Sequence, residues 1–479
     1  MPLKDLQKER IKKLKNIKKL GSDPYPASVK RTHTISEAKS SLQKKVSVAG
    51  RIKSLRAHGK IIFADLEDMS GRMQIFFSQA ELKSDQYDFL VNLDIGDFLQ
   101  TEGEVFKTQS GEITVRVSSY NLLTKSLRPI PADWYGLKDD ETRLRKRYLD
   151  SIINPEVKEL FIKKSKFWSA IREYLLKDGF LEVETPALEP IAGGADARPF
   201  TTHHYALKRK LFLRISLELY QKRMLVGGME KIFEVGKVFR NEGMDAEHLQ
   251  DYLQMEFYWA YANYQDLMTM TQKLYQYVVK QTTGSWQTIY HGHKIKWDGN
   301  WPKIDYVEAF KVATGINLDG EVTEDQLREY AQQNRIPIDA KVGLGRLIDS
   351  IYKRTVRAKL IQPTFLINHP VAVSPLAKRM PSNPKRVERM QILVGGTEVG
   401  NGFSELNDPI DQLNRFKEQS KLRKSGDDEA QMMDLDYVEA LEYGMPPAAG
   451  FGLSQRLFAV MVDKPIRETV FFPSMKEQK

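Results

Sequence analysis

Two arginines stand where their chemistry points to phosphate: Arg240 in the string Phe239-Arg-Asn-Glu242-Gly243, and Arg456 at the end of Gly450-Phe-Gly-Leu-Ser-Gln-Arg. A guanidinium is planar, always charged and offers its donors as a fork, so a pair can align a phosphate-bearing substrate and neutralise charge as it develops. A site of that kind works by position and charge and needs no nucleophile of its own. Taken alone, Arg240 beside Glu242 reads as a surface ion pair. The strings around it argue otherwise.

What the chain lacks narrows the chemistry. It has 0 cysteines, which excludes disulfides, thiolate metal sites and cysteine nucleophiles, so any metal must take oxygen or histidine ligands. Neither G-x-x-x-x-G-K-[ST] nor G-x-G-x-x-G at a strand-to-helix turn occurs, so a nucleotide must be held by something other than a P-loop or Rossmann turn. The net charge of +10 favours a polyanionic partner. Met1 to Leu20 alone has eight basic and two acidic residues, with Leu3, Leu6, Ile11, Leu14 and Ile17 forming one docking stripe on an expected helix. That helix reads either as a solvated basic face or as a polyanion contact. No signal-peptide core and no apolar run of membrane-spanning length is present, which makes the cytoplasm the expected compartment.

The elements that must position the arginines divide 479 residues into two or three domains. Residues 1–45 read as the basic helical segment. Five short strands follow within 46–125, beginning at Val46, Ile61, Arg72, Phe98 and Ile113, and suit an all-β barrel of the oligonucleotide-binding kind. Phe63 and Phe76 or Phe77 are its candidates for stacking on an unpaired base, against the alternative that Phe63 is core. The proline-containing stretch 126–140 is the linker. From 141 to 479 strands and helices mix without βαβ alternation, which predicts an antiparallel α+β domain. It opens with a helix through Leu160 to Lys177, stopped by Asp178-Gly179, and a strand over Phe180 to Pro186.

Phe233-Glu-Val-Gly-Lys-Val-Phe-Arg240-Asn-Glu242-Gly243, with Met255-Glu256-Phe-Tyr258, closely resembles motif 2 of the class II aminoacyl-tRNA synthetases. Gly179 to Pro186 resembles motif 1, the family's dimer element, and Gly450 through Arg456 to Pro473 resembles motif 3, all in the family's order. Gly193 to Phe200, Val371 to Lys378 and Gly396 to Pro409 resemble the lysine branch, bacterial type. The likeness covers nearly the whole chain. It implies a homodimeric lysine-tRNA ligase that uses ATP and Mg2+ to activate L-lysine as lysyl-adenylate and then loads the 3′ end of tRNA(Lys). Rival readings are an aspartyl or asparaginyl enzyme, a lysyl-transferring paralogue that modifies a protein, and a non-catalytic tRNA-binding regulatory homologue.

The resemblance also implies roles for individual residues. Arg240 would take the α-phosphate, and Arg456 the adenine or γ-phosphate with Tyr252 across the ring, an arrangement that exploits cation–π attraction. Glu242 would orient the adenine or the arginine, and His248 would reach the terminal phosphates. Glu398 matches the family's metal-binding carboxylate, but the second ligand position, seven residues earlier, is Gln391. Glu405, Tyr258 and Glu256 would surround the lysine side chain, Glu218 and Gly194 its α-amino group, with Asn401 and Phe403 as wall. A carboxylate-lined pocket suits an ammonium, whereas an aspartate pocket needs a cation; any one of these glutamates could instead close an internal salt bridge. In the barrel, Phe63 would stack an anticodon base and Gln74 read its edge, while Ser119 stands where the family has an acidic reader. Motif 3 is one residue short, with Gln455 before the arginine, so its helix start is expected to be re-set.

Overall fold

Alternating apolar residues in the first part of the chain demand a surface closed on itself, because each strand has only one face to bury. The computed structural model describes residues 3–131, 137, 139–243, 248–338, 342–427 and 429–477. Two compact units divide at Lys138 and Asp139. In the first, β1 (Lys45–His58), β2 (Ile61–Asp68), β3 (Gly71–Ser78), β4 (Phe98–Lys107) and β5 (Ile113–Thr124) form a closed barrel in the order β1-β2-β3-β5-β4. Val46, Val48, Leu66, Ile75, Leu99, Val115 and Val117 fill it. At the bulge between Glu102 and Gly103 the strands approach so closely that a Cβ on Gly103 would lie 1.8 Å from the Arg116 carbonyl oxygen. Only glycine fits there.

The same alternation sorts the aromatics. Phe77 is fully buried core, whereas Phe63 and Phe76 pair across β2 and β3 on the outer face, half-buried, with ring centres 5.1 Å apart. Phe63 is therefore not core, and its partner on the outside is Phe76.

Residues 3–19 are helical as the pattern predicts (α1, Leu3–Lys19), but the docking differs from the expected stripe. Leu3 is exposed, and of the five stripe residues only Ile17 is fully buried. The helix is anchored by Arg10, whose guanidinium donates to the carbonyl oxygens of Ile95 (2.9 Å), Ser126 (3.1 Å) and Arg128 (3.1 Å). These carbonyls lie outside the barrel ladder, so a long cation satisfies them better than an apolar side chain could. Replacing Arg10 with alanine should destabilise this unit by about 1–3 kcal/mol, since it strands acceptors rather than merely deleting a contact. Amide exchange across residues 3–19 should quicken while the barrel strands stay protected, and unchanged exchange would contradict the anchoring.

The second unit is built on a sheet of β6 (Leu181–Glu182), β7 (Lys231–Phe239), β8 (Asp251–Ala260), β9 (Lys303–Asp305), β10 (Thr364–Ile367), β11 (Arg389–Val394), β12 (Thr397–Ser404) and β13 (Ala448–Ser454), in the order β9-β10-β11-β12-β13-β8-β7-β6. The inner pairings are antiparallel, as expected; only the outermost pairs, β9 with β10 and β6 with β7, are parallel. One face packs on two helices, α2 (Pro155–Lys177) and α4 (Tyr264–Thr283), between which in sequence lies α3 (Glu218–Val226). Met255 and Phe257 on β8, Phe451 and Leu453 on β13, and Ile392 on β11 point into that core. Their even-handed neighbours must therefore face the other way. That second face carries the cavity described below.

α2 ends at Lys177 with Gly179 in the left-handed conformation (φ +86°), as the Asp-Gly stop predicts. The strand expected over Phe180 to Pro186 shrinks to two residues. Beyond it the buried Arg214 guanidinium takes the Thr185 carbonyl (2.9 Å), and the Thr185 hydroxyl donates to Glu234 (2.6 Å), so side chains replace the ladder. Among the described residues no helix is long and apolar enough to cross a membrane.

Candidate active site

The site follows from the register of three strands that are far apart in sequence. On β8, Tyr252, Gln254, Glu256 and Tyr258 alternate onto the open face, and all four line one cavity of about 710 Å³. On the neighbouring strand β13, Tyr258 meets Gly450, Glu256 meets Gly452 and Gln254 meets Ser454. On the far side of β13, Phe403 meets Gly450 and Asn401 meets Gly452. The central strand thus offers Gly450 and Gly452 where Tyr258, Glu256, Phe403 and Asn401 lie beside it, and there the cavity floor is bare backbone. At Gly450 this is obligatory: a Cβ would lie 2.2 Å from Glu405 Oε1 and 2.4 Å from the Tyr258 ring.

Glu398 shows how tertiary detail completes the set. It lies three positions before Asn401, which in a regular strand would turn the two to opposite faces. A bulge between Ile392 and Leu393 pairs Leu393 with Glu398 and Gln391 with Asn401, so both reach the cavity.

All the residues expected in the catalytic domain line this cavity: Arg240, Glu242, His248, Tyr252, Glu398 and Arg456, Gly194, Glu218, Glu256, Tyr258, Asn401, Phe403 and Glu405, with Gln391. From Tyr258 to Tyr252 the row spans about 20 Å at the rise of an extended strand. Acidic residues crowd the Tyr258 end. At the other end the Arg240 guanidinium sits 5.7 Å from the Tyr252 ring centre and donates to the Ile215 carbonyl (3.3 Å). Arg456 is the first residue of α5 (Arg456–Met461), directly after Gln455. The shortened motif 3 thus still delivers its arginine to the cavity.

At the acidic end Glu256 is fully engaged. Its Oε1 accepts from Ser216 Oγ (2.8 Å), the Leu217 amide (3.1 Å) and Gln254 (2.7 Å), and its Oε2 from the Tyr258 hydroxyl (2.9 Å). Gly194 approaches the same corner with φ +84°, and a Cβ there would lie 2.9 Å from Ser216 Cβ and 3.0 Å from Glu218 Cβ. Asn401 is held by Arg389, which donates to its Oδ1 (2.8 Å) and to the Val373 carbonyl (2.6 Å).

Two acidic residues have a partner that sequence reading missed. Lys222, one turn after Glu218 on α3, has a fully buried ammonium in contact with both Glu218 and Glu405. Both glutamates therefore close an internal salt bridge and line the cavity at once. Both Glu405 oxygens are buried with no hydrogen-bond partner among the described residues; Oε2 faces the Lys222 ammonium as an ion pair, whereas Oε1 has no such contact. Burial pushes the Glu218 carboxyl up to about 7 against the pull of Lys222, and Glu256 adds to the rise; Glu405 is raised well above the carboxylate range for the same reason. The Glu218-to-Lys222 spacing was the only local signal for this lysine, and on most helices that spacing marks a solvated pair.

The metal position differs from a two-carboxylate seat. Gln391 Nε2 donates to Glu398 Oε2 (3.0 Å), and among the described residues no group of three or more histidines or carboxylates could hold an ion.

In the barrel, Gln74 Oε1 accepts from Thr114 (3.0 Å), and Ser119 Oγ donates to Glu102 Oε2 (3.1 Å). Glu102 on the adjacent strand thus places a carboxylate beside Ser119.

Residues 139–476 match the family described as tRNA synthetases class II (D, K and N), and residues 46–123 match the OB-fold nucleic acid binding domain. A lysine–tRNA ligase of Carboxydothermus hydrogenoformans is 46% identical over 99% of this chain and 98% of its own length. Those of Bacillus subtilis and of a Roseiflexus species are 43% and 45% identical, again over 99% of this chain. With a family match across the whole second unit and relatives that align end to end, the chain belongs to the class II tRNA synthetases of the D, K and N group, in its lysine–tRNA ligase branch.

Proposed function

We propose that the cavity activates L-lysine with ATP and passes the lysyl group to the 3′ end of tRNA(Lys). The observation that carries this is that one cavity holds Glu218, Glu256 and Glu405 around Tyr258 at one end of β8 and Arg240 and Arg456 around Tyr252 at the other. The substrate carboxylate attacks the α-phosphorus of ATP; a new C(O)–O–P bond forms, the α–β phosphoanhydride breaks, and pyrophosphate leaves. Arg240 steadies the α-phosphate, and Arg456 with Tyr252 grips the adenine, Glu242 and His248 completing the nucleotide end. A terminal ribose hydroxyl of tRNA then attacks the acyl carbon, and AMP leaves.

Glu405 Oε1 and Tyr258 would receive the distal ammonium, and Glu218 beside Gly194 the α-ammonium, with Asn401 and Phe403 as walls. An aspartate site would need an open cation at this end; here Lys222 is taken up by two carboxylates, and Arg389 by Asn401, Val373 and Ser374. Glu398 would hold Mg2+ through its carboxylate. Such an ion would offset triphosphate charge; the Gln391 amide brings it no second negative oxygen.

Phe63 with Phe76 offers a stacking face for an anticodon base, with Gln74 on the same strand as Phe76 to read its edge. A homodimer through the motif 1 region is supported by Leu181 and Leu176, which are exposed beside the unpaired edge of β6. Charging tRNA would take place in the cytoplasm.

Exchange of pyrophosphate into ATP tests the reading. Lysine should drive it and aspartate should not; exchange driven by aspartate, or none with lysine, would refute it. The pH dependence is also defined. An ammonium binds the ionised carboxylate, so below about pH 7 a proton must leave Glu218 first. Lysine affinity should therefore climb with pH on the acid side, by up to about tenfold per pH unit for each proton released. Calorimetry in buffers of different ionisation enthalpy should register proton release on binding; proton uptake would contradict the assignment.

A further inference from the structure

Behind the wall of the amino-acid end lies a cation that no motif names. The Lys222 side chain is 0% exposed, and it binds Glu218 through Oε1 and Glu405 through Oε2. Its ammonium lies 5.2 Å from the Phe403 ring centre and 6.0 Å from that of Tyr437. Burying an ammonium is costly unless it is well paired. Here the pairing is done by two carboxylates of the substrate cavity, and Lys222 itself is not among the residues that line it.

We infer that Lys222 is a positioning residue for amino-acid selection: it draws Glu405 and Glu218 toward the ionised form against their burial and leaves Glu405 Oε1 for the distal ammonium of the substrate. The inference rests on the reading that Glu405 receives that ammonium. The other groups facing this point are Glu256 and Tyr258 on β8, Arg389 on β11 and Tyr437 on the helix Leu435–Glu442. Burial already favours the protonated form of both carboxyls. Without the internal cation both carboxyls hold a proton more readily, and a neutral carboxyl no longer distinguishes an ammonium from an uncharged tail of equal length.

Lys222→Met in the full chain tests this, since it keeps the length and removes the charge. At pH 7 the KM for lysine in the exchange reaction should rise at least about tenfold, the effect of a shift of one pKa unit. The KM for ATP and kcat at saturating lysine should stay near wild type. The deficit should shrink as pH is raised to about 9, and Lys222→Arg should restore both the KM and its pH profile. An unchanged lysine KM in a folded Lys222→Met protein, a deficit equal at every pH, or a Lys222→Arg protein as impaired as the methionine variant overturns the inference. If Lys222→Met does not melt cooperatively, Lys222→Arg decides: a wild-type pH profile upholds it and a pH-independent rise in KM overturns it. Glu405→Gln separates the two layers. If it leaves the lysine KM unchanged, the pocket reading itself fails; if it raises the KM while a folded Lys222→Met does not, only the role of Lys222 fails.

Discussion

Gly450→Ala should abolish lysine activation while sparing the nucleotide end of the cavity. The added Cβ would stand 2.2 Å from Glu405 Oε1 and 2.4 Å from Tyr258 Cε1. Neither neighbour can retreat cheaply. Glu405 is held by Lys222 from behind, and the Tyr258 hydroxyl is tied to Glu256 at 2.9 Å. The strand cannot shift either, because β13 is paired on both sides, with β12 and with β8. A displacement of about 1 Å in a positioning group can cost roughly 10²-fold in rate, and here the two groups that would meet the substrate's ammonium move together. We expect kcat/KM for lysine in pyrophosphate exchange to fall at least 10²-fold, with binding of a non-hydrolysable ATP analogue little changed. Gly452→Ala is the matched comparison. Its Cβ would meet Glu256 Cγ at 3.3 Å and Gln254 Nε2 at 3.6 Å, a tight but tolerable contact. Its effect should be a few-fold, and equal loss in both variants would mean that the steric argument is wrong.

Arg240→Lys should cost the chemical step about 10²–10³-fold, the usual penalty for removing a donor aimed at developing charge. The substitution keeps the formal charge and loses the planar fork. It also loses the group that lies over Tyr252 and is braced on the Ile215 carbonyl, so the shorter ammonium would have neither anchor. Single-turnover formation of adenylate should slow by that factor, while equilibrium affinity for the ATP analogue changes less than about tenfold, because binding in the ground state draws on the whole nucleotide end. A rate within tenfold of wild type would remove Arg240 from the centre of the reaction.

Much of this site could be read without coordinates. Glu256 and Tyr258 are two apart on one strand, as are Gly450 and Gly452, and that period by itself puts each pair on a common face. Arg240 and Arg456 were identifiable from residue type and the strings around them. Glu398 was harder: its odd distance from Asn401 reads as the wrong face until the bulge opposite Leu393 is seen. Lys222 was not legible, because its burial depends on Glu405, which arrives from 183 residues further along the chain. Ser119 is a similar case, since its partner Glu102 is a neighbour only once β4 and β5 have paired.

The sequence by itself determined the five barrel strands with their alternation, the helices at the N-terminus and before Gly179, the stop at that glycine and the chemical groups available for catalysis. These follow from steric and solvation preferences that act within a few residues. Tertiary structure alone decided which strand lies beside which, where a bulge reverses the face of a side chain, that Phe63 looks outward while Phe77 is core, and that an arginine rather than a leucine stripe anchors the first helix. Those outcomes depend on contacts between segments distant along the chain, whose free energy is realised only when the whole sheet or barrel closes.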